Sequence, residues 1–127
     1  MRPQQIEPFN EQREWDWIAP EILCTKQARE LFESACRYGI LRELRDEKGY
    51  LAGYTAGAGI TKGQLAYFVF QASSWLGVDR GSLTNWKPFE TLCNSGNKTP
   101  LRAYLHNIDY GKVDYTKPID DFFKYAL

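Results

Sequence analysis

The sequence contains a single histidine, no net charge and no long run of apolar residues. One histidine, His106, excludes metal motifs that need two histidines and catalysis by a histidine pair. The longest apolar run, residues 65–70, is far shorter than the ~20 residues that a membrane span requires. The 16 basic and 16 acidic side chains cancel, which excludes a polybasic nucleic-acid-binding chain or an acidic tail but allows a local charged patch.

Cysteine is also sparse, and its positions form no recognisable disulfide or metal pattern. Cys24, Cys36 and Cys93 are odd in number and include no CxxC motif, so we expect three reduced thiols. Together with His106 they could supply a Cys₃His set, but their spacing matches no zinc-ligand pattern. The N-terminus lacks the apolar segment of a signal peptide. We therefore expect a soluble, cytoplasmic protein with no membrane association, no metal and no cofactor.

Aromatic residues are frequent, at 15% of the 127 residues. A chain of this length is typical of one domain, and we expect a single domain over residues 1–127. Prolines and acidic residues without a sustained period mark residues 1–20, for which we predict an extended N-terminal arm. Phe9, Trp15 and Trp17 are too apolar for a free tail, so they either pack back on the body or anchor a partner.

The first helix that the sequence predicts is capped by Thr25 and runs to about Tyr38, with Gly39 where helices commonly end. Its apolar residues recur at helical spacing and predict a buried face: Ala28, Leu31, Phe32 and Ala35. Cys36 lies on the flank of this face, where we expect a structural rather than a reactive thiol.

A short β-hairpin is predicted next. Residues 40–45 and 50–54 flank a tetrapeptide, Asp46-Glu47-Lys48-Gly49, whose aspartate and glycine suit a type I turn closed by a bulge. In this arrangement we expect Leu44 to pair near Leu51.

A glycine-rich segment then precedes the helix whose N-terminal capping sequence is the clearest in the chain. The glycines between residues 53 and 63 fit neither the phosphate-loop nor the dinucleotide-binding pattern, and we predict a flexible connector. Thr61 and Gln64 form a capping box. Apolar residues, Phe70 and Trp75 among them, then cover so much of the circumference that we expect a central, buried helix.

Three shorter helices are predicted in the C-terminal third. They span residues 86–93, residues 100–109, and a segment that starts at Thr116 with Pro118 in its first turn. The order of elements predicts a mainly α protein, a single helical domain of about five helices with one small β-hairpin, and it is compatible with a winged helix.

One motif in this part of the chain is distinctive. Leu65-Ala66-Tyr67-Phe68, Leu76-Gly77 and Trp86-Lys87-Pro88-Phe89-Glu90 follow one another as LAYF…LG…WKPFE. The pattern resembles that of a family of small uncharacterised proteins from Bacteroidetes, over about residues 28–123. The resemblance implies no activity, ligand or catalytic residue. Independently of it, the spacing of Trp86 and Phe89 predicts a shared buried face, which we expect to pack on the helix at 61–76.

Nothing in the sequence demands an enzyme, and we expect none. The carboxylates fit solvated helix faces, and those near helix starts suit the positive end of the helix dipole. The preferred prediction is a non-enzymatic protein-interaction module whose surplus aromatic residues bind another protein or a second copy of the chain. Its candidate partner-binding residues are Phe9, Trp15 and Trp17.

The alternative prediction is DNA binding through a helix-turn-helix-like unit over residues 86–109. Its second helix would present polar residues away from its apolar face, and the candidate nucleic-acid-binding residues are Lys98, Arg102, His106 and Asn107. Residues 62–112 carry six basic and three acidic side chains, an excess of +3. The hairpin at 40–54 would serve as the wing.

Overall fold

The described residues form five α-helices and one two-stranded antiparallel hairpin, which confirms the predicted mainly α class. The computed structural model describes residues 11–78, 86–93, 104 and 113–127. The elements in chain order are α1 (Glu11–Ile18), a short 3₁₀ helix (Glu21–Leu23), α2 (Lys26–Tyr38), β1 (Leu41–Arg45), β2 (Leu51–Ala56), α3 (Lys62–Leu76), α4 (Trp86–Cys93) and α5 (Val113–Asp121), which continues as a π-helical turn (Phe122–Ala126). None of the helices in the described ranges combines the length and apolar character that crossing a bilayer needs.

Helix α2 has the predicted bounds and the predicted buried face. The Thr25 side chain accepts a hydrogen bond from the Ala28 amide at 3.1 Å, and Gly39 ends the helix in the left-handed region with φ 97°. Both ends are thus fixed by residues next to the helix. The four residues of the predicted face are buried: Ala28, Leu31, Phe32 and Ala35.

Helix α3 starts with the predicted capping box but exposes two residues that we expected to be buried. Thr61 and Gln64 exchange side-chain-to-backbone hydrogen bonds of 2.9 and 3.1 Å. Most of the helix is buried because it packs on α2 and α5. Phe70 and Trp75, however, are 37% and 41% exposed, so the expectation that they widen the buried face is wrong.

The hairpin has the predicted turn and a different register. The Asp46 carboxylate accepts hydrogen bonds from the amides of Lys48 and Tyr50, and Gly49 takes φ 85°. An irregularity between residues 44 and 45 shifts the pairing, so that Leu44 lies opposite Gly53 and not near Leu51 as expected. A bulge adds one residue to β2 at this point, so Leu44 pairs with Gly53 while the next residue, Arg45, pairs with Leu51.

Close packing requires one glycine of the predicted flexible connector, Gly57, and leaves little room at a second, Gly53. A Cβ on Gly57 would lie 2.0 Å from the carbonyl oxygen of Gly39, and one on Gly53 would lie 3.1 Å from that of Leu92. Gly53 belongs to β2, and the Gly57 amide donates to the Ile40 carbonyl at 2.8 Å. The segment is therefore held against its neighbours at these two positions, and at Gly57 only glycine lets the backbones approach so closely.

The prediction of an extended arm over residues 1–20 is wrong for residues 11–18. Residues 11–18 form α1, in which Gln12 donates to the Asp16 carboxylate at 2.8 Å. The Trp15 side chain is 1% exposed, and its indole N–H donates to the Leu23 carbonyl at 2.7 Å. The helix forms because it buries Trp15 in the core, a tertiary gain that the local pattern does not reveal.

The two C-terminal helices differ from expectation in packing and in start. Helix α4 buries Phe89 and packs chiefly on β2, rather than on α3 as expected. Helix α5 begins at Val113, ahead of the predicted Thr116, so Pro118 stands inside the helix and not in its first turn. Proline has no backbone N–H to donate to the carbonyl four residues earlier and is therefore usually found in the first turn of a helix. For this reason the sequence pattern placed the start of the helix too late, at Thr116.

The core is a continuous aromatic cluster centred on Phe32 of α2. Its ring centroid lies 5.0 Å from Trp15, 5.1 Å from Tyr54, 6.1 Å from Phe68 and 6.2 Å from Phe89. These partners come from α1, β2, α3 and α4. Phe122, at the start of the π-helical turn, extends the cluster through Phe68 at 5.9 Å.

The first prediction tests this cluster at α4. Replacing Phe89 by Ala should lower the free energy of unfolding by about 3–5 kcal/mol, because it leaves a cavity beside Phe32. Urea denaturation measures the change. The matched control is Lys87→Ala on the exposed side of the same helix, which should stay within about 0.5 kcal/mol of the wild type. A loss below about 1 kcal/mol for Phe89→Ala would contradict the burial.

Candidate functional site

The residues predicted to bind nucleic acid lie outside the described ranges. This holds for Lys98, Arg102, His106 and Asn107. Tyr104 is the described residue of the predicted helix at 100–109, where its backbone is helical and its ring centroid lies 5.5 Å from the Lys62 ammonium.

The three predicted partner-binding residues, Phe9, Trp15 and Trp17, differ in where the structure places them. Phe9 lies outside the described residues. Trp15 is 1% exposed and belongs to the core, so of its two predicted roles it packs back on the body and does not anchor a partner. Trp17 is 39% exposed on α1, two positions further along the helix. The structure therefore places one of these two tryptophans in the core and the other at the surface.

A cleft of about 250 Å³ lies between α1, α2 and the hairpin. Three carboxylates and three guanidinium groups line it, together with a thiol, a phenol and apolar side chains. The lining residues are Glu14, Trp15, Arg29, Glu33, Cys36, Arg37, Glu43, Arg45, Leu51 and Tyr54. Its formal charge is balanced, and it gathers side chains from positions 14–54 into one concave surface.

Glu14 is the most deeply placed charge of the cleft. Only 6% of its side chain is exposed, and its Oε1 atom accepts hydrogen bonds from the Leu51 amide at 2.6 Å and from the Arg45 guanidinium at 3.4 Å. Arg45 also donates to the Gly49 carbonyl and to Glu43, each at 2.9 Å. The carboxylate therefore joins α1 to the hairpin and anchors the guanidinium that closes the turn.

A second set of charges belongs to α2. The Arg29 guanidinium donates to Glu33 at 2.8 Å and to the Gln12 side-chain carbonyl of α1 at 2.7 Å. Arg37, two turns further along α2, donates to the Ser34 hydroxyl at 3.1 Å and has no carboxylate within ion-pair distance among the described residues. Arg37 is thus the cation of the cleft that the described part of the chain leaves uncompensated.

Cys36 and Tyr54 also line the cleft, and both stay protonated at neutral pH. Burial, followed by the nearby carboxylates of Glu43 and Glu33, raises the pKa of the Cys36 thiol to about 12. Burial likewise raises the pKa of Tyr54 above its usual range. A thiol with this pKa is a poor nucleophile, which agrees with the structural role predicted for Cys36.

The other two cysteines offer no reactive or metal-binding site either. Cys93 is buried, and burial raises its pKa. The pKa of Cys24 is raised by burial and by Asp16 and Glu21. All three cysteines are free within the chain, as the sequence predicted, and the described residues contain no group of three ligands suited to a metal ion.

Sequence reasoning missed the cleft because its parts are far apart in the chain. It placed the carboxylates on solvated faces, which is wrong for Glu14. Glu14 and Leu51, which are joined by a hydrogen bond of 2.6 Å, are 37 positions apart. No periodicity or motif marks such a pair, since the contact exists only once α1 lies on the hairpin.

The hairpin that would serve as a DNA-binding wing has no basic excess. Over residues 40–54, three basic side chains are matched by three acidic ones. Arg45, one of the three basic residues, is paired with Glu14 and Glu43. These charges favour internal ion pairs over phosphate contacts.

Comparison with known proteins gives no match to any protein-family model, any curated protein or any solved structure. The resemblance of the WKPFE-containing pattern to the Bacteroidetes proteins therefore stays a prediction. The function is therefore inferred from the cleft and from the exposed residues.

The second prediction concerns Glu14. Replacing it by Ala should lower the free energy of unfolding by about 2–3 kcal/mol, because the buried Leu51 amide loses its acceptor. Urea denaturation measures the loss, and hydrogen exchange should quicken at the Leu51 amide. Glu30→Ala is the control, since Glu30 is an exposed carboxylate whose nearest cations lie at 3.8 and 3.9 Å. Equal stability of the two variants would show that Glu14 does not hold the hairpin.

Proposed function

We propose that this chain is a non-enzymatic protein-interaction module of the cytoplasm. The observation that carries the proposal is the exposure of large aromatic rings in a protein that has buried many others. Six aromatic side chains in the described ranges are more than a third exposed: Trp17, Tyr38, Tyr50, Phe70, Trp75 and Tyr125. Tryptophan and tyrosine are the side chains that contribute most often to binding energy at protein interfaces.

Helix α3 has two such exposed aromatic rings although most of its other residues are buried. Its residues from Gly63 to Val69 are buried, together with Ala72 and Ser73, yet Phe70 and Trp75 face solvent. A helix whose inner face is already filled has no folding requirement for two large rings on its outer face. We therefore assign Phe70 and Trp75, which we name the outer α3 pair, to contact with another protein.

The cysteines support the location. Cys24 and Cys36 are partly exposed and free, and no cysteine of the chain is engaged in a disulfide. Free thiols of this kind suit the reducing environment of the cytoplasm.

DNA binding is the second candidate, because of the basic excess over residues 62–112. Lys62 and Lys87 are the described basic residues of this segment and both are exposed. An excess of +3 is small beside that of most DNA-binding domains. The exposed aromatic side chains are therefore stronger support for protein binding than this charge is for DNA binding.

The third prediction tests the outer α3 pair. Immobilised wild-type protein should retain a partner from nuclease-treated native lysate, and Trp75→Gln and Phe70→Gln should each lose it. Glutamine keeps the helix propensity of the site, and circular dichroism checks that each variant folds. Ser74→Ala, at an exposed position of the same helix, is the matched control and should retain the partner. Retention of the same proteins by all four forms, or of none above bare resin, would contradict the proposal.

The fourth prediction separates the two candidates. If the chain contacts DNA through the predicted helix at 100–109, a fluorescent duplex should bind it with a strong dependence on salt, and Arg102→Ala should weaken binding by about 1–3 kcal/mol. Arg42→Ala, on the hairpin, is the control. We expect instead a dissociation constant weaker than about 10⁻⁴ M at low and moderate salt, below ordinary non-specific binding. Tight binding that Arg102→Ala abolishes would replace the interaction module by the DNA-binding alternative.

A further inference from the structure

The cleft between α1, α2 and the hairpin contains a buried polar group with no partner in the described protein. Tyr54 is only 2% exposed, and its hydroxyl makes no hydrogen bond to the described residues. Ser73 Oγ is the one described side-chain oxygen or nitrogen that is both sealed from solvent and unpartnered. The Tyr54 oxygen is therefore not sealed, and Tyr54 is one of the residues that line the cleft.

Two carboxylates beside Tyr54 also keep an oxygen available. Glu33 and Glu43 each accept a hydrogen bond from an arginine through Oε2, and Oε1 of both has no partner among the described residues. Both carboxylates are close enough to Tyr54 to raise its pKa, although burial contributes more. Acceptors of this kind suit an ammonium group, whose protons each seek an oxygen.

The opposite charge is supplied by Arg37. Its guanidinium has donors to spare because its partner within the described residues is the Ser34 hydroxyl. The other two arginines of the cleft, Arg29 and Arg45, are already paired with carboxylates. A simple anion in the cleft would meet the free oxygens of Glu33 and Glu43, whereas a simple cation would meet Arg37. Only a ligand that carries both charges satisfies both sides.

The size of the cleft restricts the ligand further. Drug-sized molecules occupy pockets of about 300–1,000 Å³. The cleft, at about 250 Å³, is smaller and has the rings of Trp15 and Tyr54 and the Leu51 side chain as its apolar lining. It suits a molecule with a compact charged head and one short apolar group.

We propose that this cleft binds a small zwitterion of the α-amino acid type. Its carboxylate would lie at Arg37, its ammonium group between Glu33 and Glu43, and its polar head within hydrogen-bond reach of the Tyr54 hydroxyl. Glu14 and Arg45 are positioning residues, since they fix the hairpin that presents Glu43. The outer α3 pair does not line the cleft, so the amino-acid site does not depend on the proposed protein interaction, and each is tested by its own experiment.

The experiment measures binding of single α-amino acids to the full chain by ligand-observed NMR and isothermal titration calorimetry. For each amino acid that binds, the probes include the amine that lacks its carboxylate and the acid that lacks its amino group. We expect at least one amino acid to bind in the millimolar range or tighter, and both truncated probes to bind about tenfold more weakly or worse. Absence of binding by every amino acid at millimolar concentration, or equal binding of a truncated probe, would overturn the proposal.

Two variants test the assigned contacts. Tyr54→Phe removes the unpartnered hydroxyl and keeps the ring in the core, so folding should be unaffected while affinity falls about fivefold. Arg37→Gln should weaken the amino acid and leave the truncated amine unchanged. Arg42→Gln, an exposed arginine outside the cleft, is the matched control for charge. Unchanged affinity in both Tyr54→Phe and Arg37→Gln would place the ligand elsewhere and refute the assignment.

Discussion

The ring of Phe32 is the contact on which the other elements depend. Aromatic side chains from α1, β2, α3 and α4 surround it at centroid distances of 5.0–6.2 Å, and the tilted and edge-on arrangements among them are the favourable ones for aromatic pairs. A hairpin of two short strands and an eight-residue helix are each marginal on their own. Both α1 and the hairpin are held in place because each contributes a ring to this cluster.

A polar contact then decides how α1 and the hairpin meet. The Glu14 carboxylate binds the Leu51 amide and the Arg45 guanidinium, so a charge that would be costly to bury alone is compensated on two sides. The same contact fixes the wall of the cleft. The aromatic core thus supplies the energy that brings the elements together, and the buried carboxylate supplies their orientation.

Both proposed surfaces consist of groups that the packing of the core leaves exposed or without a partner among the described residues. Phe68 and the other buried residues of α3 stand at helix positions that face the core, whereas Phe70 and Trp75 stand at positions that are exposed. These rings remain outside and are available to a partner. The cleft on the other side of Trp15 and Tyr54 keeps polar groups that the described residues do not satisfy. A module that binds a protein through one surface and an amino acid through the other is consistent with both features.

The elements that the sequence predicted well are those whose ends are set by neighbours in the chain. The Thr25 cap and Gly39 define α2, Thr61 and Gln64 define the start of α3, and Asp46 and Gly49 define the turn. These interactions span four residues or fewer, so the local pattern is sufficient to identify them. The predicted fold class was correct for the same reason.

The features that depend on tertiary packing involve residues that are distant in the chain. The burial of Trp15, and with it the helical form of α1, depends on Phe32 and Tyr54. The cleft depends on Glu14 reaching Leu51, and Gly57 is required because its backbone lies against Gly39. The exposure of Phe70 and Trp75 depends on which faces of α3 its neighbours cover. A sequence pattern states how apolar a helix face is, but the partner that covers that face is set by packing across the whole chain.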